Sequence, residues 1–246
     1  MDPSPPARDS VWRDIRWALW VMRRQVSIPV LAAGIATFGA TLDQNTFLVD
    51  LFVAVYALAV FGWFGASNVW FRRAAAGDWL RLRELPGLMV RFVGPFFRFG
   101  FLIAIPYLAM LVVFGTLDGG FPRWLSVTLS VVSAIGIFVF PTLALSTRRA
   151  RSAIVDGVRA FFRWWPACLP YALLTLGVSV LGVVADAWRV PLVLTTPIFV
   201  VANLAIAGAV VAFYLRRVPV GRDGVAYGEP EVVSPPPLPE RPDGGV

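Results

Sequence analysis

The stretch "TRRARSAIVDGVRAFFRWWP", residues 147–166, packs five arginines and two adjacent tryptophans between long runs with almost no charge. Ile154, Val158, Phe161, Phe162 and Trp165 recur at helical spacing. Ser152, Asp156, Arg159 and Arg163 follow the same period on another face. A basic polar face opposite an aromatic one is the pattern of a helix lying in a membrane interface rather than crossing it. Ser146 or Thr147 is placed to cap its start, and Pro166 marks a break before the next apolar run. Arg148, Arg149, Arg151, Arg159 and Arg163 are then expected to contact lipid headgroups.

Composition points the same way. Of the 246 residues, 58% are hydrophobic and only 15% charged, with a mean hydropathy of +0.71. Soluble domains carry about 25% charge, so the natural solvent for this chain is a bilayer. All 22 basic residues are arginine, and they sit between apolar runs rather than in one basic domain. Anionic lipid, not nucleic acid, is the partner this distribution suits. Cys168 is the single cysteine, so no intramolecular disulfide can form and the redox compartment is unread. The absence of histidine removes His-based metal sites, Ser-His-Asp triads and histidine general bases. A non-enzymatic chain with no catalytic residues, metal or cofactor is expected.

A bilayer-crossing helix needs about 20 mostly apolar residues. Six runs qualify, at about 26–42, 46–67, 96–116, 124–145, 167–187 and 191–215. The fold class expected is therefore an all-α membrane protein with six transmembrane helices over residues 10–217. Residues 1–9 and 218–246, rich in Pro, Gly and charge, are expected to be disordered. Pro29, Pro106, Pro141, Pro170 and Pro197 should kink or shorten five of the spans. Twenty of the 22 arginines fall on one side of a six-span layout, leaving Arg123 and Arg189 on the other. The positive-inside rule makes the arginine-rich side cytoplasmic, with both termini there, in the inner (cytoplasmic) membrane. Arg23, Arg24, Arg72 and Arg73 join the expected headgroup contacts.

The amphipathic arrangement recurs before the first and third spans. Val11, Ile15, Ala18, Leu19 and Met22 form an apolar stripe, and residues 79–93, "WLRLRELPGLMVRFV", repeat it with Pro86 and Gly87 as interruptions. Three units of an interfacial elbow helix plus two spans result. Duplication and the general habit of basic loops between spans explain them equally well.

Polar residues inside the spans offer a second reading. Asp50 lies in "FLVDLFVAV" about one turn from the outer end of its span, where it can serve as a proton or ion ligand or simply reach outer water. Ser126, Ser130 and Ser133 share a face of the fourth span, and Thr196 and Asn203 one of the sixth. Asp50, Ser130, Thr196 and Asn203 could line a path for a small solute, making the chain a transporter or channel component. Bonding to a carbonyl one turn back, or to a neighbouring helix, is the favoured role of such side chains. Arg98, in "FFRFGF", is expected to snorkel to the cytoplasmic headgroups. "PPLPER", residues 236–241, fits a polyproline ligand that a protein partner could read, although a solvated tail is the favoured account.

Residues 138–174, "FVFPTLALSTRRARSAIVDGVRAFFRWWPACLPYALL", run from a proline-bearing span end through a basic amphipathic helix to Trp-Trp at the next span. This layout resembles the multi-span membrane domain attached to some glycerophosphoryl diester phosphodiesterases and its stand-alone relatives. The resemblance implies a membrane module. The soluble phosphodiesterase domain has no counterpart here, so no catalytic residue carries over. The function expected is an accessory or scaffold module that contacts anionic lipid and a protein partner.

Overall fold

The computed structural model describes residues 10–41, 47–115, 131–147 and 149–218. Residues 1–9, 42–46, 116–130 (with the first part of the expected fourth span), Arg148 and 219–246 lie outside them.

Among the described residues the chain is helical, with no strand. The helices are α1 (Val11–Arg24), α2 (Ser27–Thr41), α3 (Phe47–Ala75), α4 (Leu85–Gly115), α5 (Val139–Leu145), α6 (Ala150–Arg163), α7 (Trp165–Ala187) and α8 (Leu192–Arg217). A 3-10 turn, Leu82–Glu84, leads into α4. Three stretches, Leu82–Ala104, Trp165–Ala185 and Leu192–Arg217, are long and apolar enough to cross a membrane. The apolar part of α2 is shorter, Ser27–Gly39. At 1.5 Å per residue, its 15 helical residues reach only about 22 Å against a hydrocarbon thickness of about 30 Å.

Several local expectations change. Pro86 does not interrupt an elbow before the third span; it lies in the first turn of α4, where its missing N–H costs nothing, and the helix runs on to Gly115. The expected separate helix at 79–93 is thus a 3-10 turn followed by the start of α4. The run expected as a fourth span is broken by a turn at 136–138 between a helical stretch at 131–135 and α5. Pro141 cannot donate to the carbonyl of Ile137, which is where the ladder gives way. The break before α7 falls at Trp164, and Pro166 sits inside that helix's first turn.

α8 is the hub, packed by α1, α2, α3 and α7. Its glycine Gly208 admits α1 and α3 closely: an added Cβ would lie 2.6 Å from the Phe71 ring and 2.7 Å from the Ala18 Cβ. The Phe213 ring stacks on Phe138 at 5.5 Å and meets Tyr171 at 5.1 Å and Trp164 at 6.0 Å. Among the described residues, burial of such rings, each worth on the order of 150–250 Å², is dense at the arginine-bearing end of the helices. α7 shows this clearly: among its described residues the buried ones are Cys168, Tyr171 and Ala172, all in its first two turns.

Candidate lipid-contact face and its buried clasp

Asp14 occupies the first turn of α1 and is 0% exposed. Both its oxygens are held. Arg216, near the end of α8, donates from Nη1 to Oδ1 at 2.8 Å and from Nη2 to Oδ2 at 2.7 Å. The Tyr171 hydroxyl of α7 donates to Oδ2 at 2.5 Å. This forked, charge-assisted pairing matches guanidinium to carboxylate geometry, and it locks the start of α1 to the end of α8 and the beginning of α7.

Further contacts complete the same layer. The Trp70 indole N–H donates to Gln25 Oε1 at 2.5 Å, and Gln25 Nε2 donates to the Leu80 carbonyl at 2.6 Å. The hydroxyls of Ser146 and Tyr214 lie 2.7 Å apart. Arg73 pairs with Glu84 at 2.8 Å and with Asp78 at 3.7 Å. Arg217 stacks over Phe213 at 4.5 Å and Trp164 at 5.9 Å, and Arg24 over Trp79 at 4.8 Å and Trp20 at 5.6 Å. The segments bearing Arg24, Arg73, Arg149 and Arg216 are therefore brought together at one end of the bundle.

Around this layer other arginines point outward. Arg23, Arg149, Arg151, Arg159 and Arg163 are exposed, whereas Arg72 is half-buried. Arg148 lies outside the described residues. The α6 helix has three faces rather than two. Ala150, Ala153, Gly157 and Phe161 are buried; Val155 and Phe162 form an outward apolar face; Asp156, Arg159 and Arg163 form an outward charged one. Phe162 and Trp165 are 63% and 46% exposed, so the aromatic stripe expected from spacing divides between core and surface. In α1, likewise, Leu19 turns out of the core at 43% exposure, and Asp14, Trp17 and Val21 take the buried face. Between α4 and the start of α6 runs an open groove of about 570 Å³, lined by Phe97, Arg98, Phe101, Leu102, Arg149 and Arg151 among others.

The expected solute path is not assembled among the described side chains. The side chain of Asp50 and all of Ser126 and Ser130 lie outside them. Asn203 donates to the Phe199 carbonyl of its own helix at 2.8 Å, and Thr196 is half-buried seven residues before it. Cys168 is buried, its thiol 3.3 Å from the Phe161 carbonyl. Among the described residues no group of His, Cys, Asp or Glu could hold a metal.

No protein family matches the chain, and no characterised protein or solved structure does either. Asp14, Tyr171 and Arg216 were not singled out by spacing arguments. One signal was present: Asp14, Trp17, Ala18 and Val21 fall at i, i+3, i+4 and i+7, which puts an acid in the middle of an apolar stripe.

Proposed function

We propose that this chain is a non-enzymatic, six-span protein of the cytoplasmic membrane, acting as an accessory or scaffold module that contacts anionic lipid through its arginine-bearing end. In this reading α1 and α6 lie at the interface as elbows, both termini are cytoplasmic, and the Pro-rich tail is available to a protein partner. The likeness of residues 138–174 to phosphodiesterase membrane domains motivates the accessory role. The observation that carries the proposal is the gathering of the arginine-rich segments at one end by the Asp14–Arg216–Tyr171 clasp, with Arg149, Arg151, Arg159 and Arg163 left exposed around it. Arginines near an anionic leaflet each contribute about 1 kcal/mol of attraction, so a ring of them fixes orientation and lipid preference together.

Cysteine labelling, on the full chain in its native membrane, tests the orientation. Residues 8, 75, 156 and 225 should react from the cytoplasm, and 44, 120 and 189 from outside. External labelling at 156 would overturn it. Lipid preference is tested by reconstitution in nanodiscs of phosphatidylcholine with or without phosphatidylglycerol: the thermal midpoint should rise with phosphatidylglycerol, and equal midpoints would sink the anionic-lipid role. Solute flux in proteoliposomes would move the reading to the polar path.

A further inference from the structure

We propose that the groove between α4 and the start of α6 binds one anionic phospholipid, its phosphate held by Arg98, Arg149 and Arg151 and an acyl chain laid along Phe97, Phe101 and Leu102. This rests on the anionic-lipid reading and sharpens it from a diffuse surface to a discrete site.

Charge carries the first part of the argument. Three arginines, Arg98, Arg149 and Arg151, line the groove, and among the described residues no acidic one does. Among the described residues none of the three arginines forms an ion pair. The start of α6 aggravates the imbalance. Arg149 is its N-cap, no side chain caps it, and the first turn holds no acid. Cations crowd the positive end of a helix dipole there, an arrangement that an interposed anion relieves. Guanidinium forks also grip phosphate oxygens two at a time.

Shape carries the second part. Phe101, 58% exposed, and Leu102 lie one turn beyond Phe97 and Arg98 along α4. The groove is thus cationic at one level and aromatic at the next, the polarity of a phospholipid at its glycerol. Its volume of about 570 Å³ takes a headgroup and the start of one chain, and its open side lets the rest continue along α4. The outward pair Arg159 and Arg163 differs: Asp156 stands 3.9 Å from Arg159, and neither arginine lines this groove. Those two belong to the diffuse surface.

The test uses the full chain in detergent, titrated with phosphatidylglycerol, phosphatidylcholine or inorganic phosphate and followed by native mass spectrometry and thermal midpoint. Phosphatidylglycerol should bind saturably and in preference to phosphatidylcholine. Combining R98Q, R149Q and R151Q should weaken that binding on the order of 100-fold, whereas R159Q with R163Q should leave the saturable component in place. Phe101→Ala should weaken the lipid alone. Unchanged binding by the triple variant, or equal loss in both variants, would overturn the groove while leaving the anionic-lipid role standing. A midpoint shift by inorganic phosphate equal to that of the lipid would assign the site to a free anion and overturn it too. Wild-type protein without preference for phosphatidylglycerol would defeat both proposals. If the triple variant does not fold, a photo-crosslinking residue at position 101 decides: a phosphatidylglycerol adduct supports the site, and its absence rejects it.

Discussion

α1 and α6 are both 14-residue amphipathic helices, each followed after a short turn by an apolar helix, yet they are fixed to the bundle by opposite means. α1 buries a charge: Asp14 is clasped by Arg216 and Tyr171, beside Trp17 and Val21. α6 buries almost nothing polar. It sits down through Ala150, Ala153 and Gly157, so close that a Cβ on Gly157 would fall 2.8 Å from the backbone of Val139. The arginines follow suit. Arg216 at the α1 contact is part of the fold, whereas Arg159 and Arg163 of α6 remain available to the surroundings. A basic count alone treats these as one population, and packing divides them.

The largest expected effect breaks the α1 side. Asp14→Ala leaves a guanidinium in the core without its carboxylate, a change that costs about 3–5 kcal/mol where such pairs are buried. Thermal unfolding in detergent should show a large drop in midpoint, and Asp14→Leu combined with Arg216→Met should recover much of it. A single variant that melts like the wild type would mean the clasp does not hold α1.

The α6 side should break by crowding instead. Gly157→Ala pushes a methyl into the Val139 backbone, and overpacking of this kind costs about 1–3 kcal/mol. Because Gly157 packs on Val139 and not on a residue of the clasp, this loss should largely add to that of Asp14→Ala, and a cycle with strong coupling would contradict the separate attachment of the two helices. Limited proteolysis should cut first near Arg151 in the glycine variant and near Arg16 in the aspartate variant.

The smallest effect serves as the control. Gly34 in α2 and Gly177 in α7 have open space where a Cβ would stand. Alanine at either should leave the midpoint unchanged or raise it by up to about 1 kcal/mol equivalent, since glycine is the poorer helix former. A clear loss at Gly34 or Gly177 would show that those faces are covered in the membrane.

Much of this architecture is legible in residue order. Helical periodicity at 150–163, the apolar runs at 167–187 and 191–215, and the arginine asymmetry follow from composition and spacing, because a bilayer constrains length and charge directly. Helix ends were harder. Pro86 and Pro166 read as breaks along the chain and became first-turn residues once folded, since proline is costly only where an N–H is needed. Tertiary structure alone decided which polar residues matter to the fold. Asp14 lies 157 positions from Tyr171 and 202 from Arg216, and no local pattern relates residues so far apart. The same is true of Arg98, which joins Arg149 and Arg151 only because α4 passes the start of α6. Periodicity fixes which face of a helix is apolar, but only packing settles whether that face meets protein or lipid, as the division of Phe161 from Phe162 records.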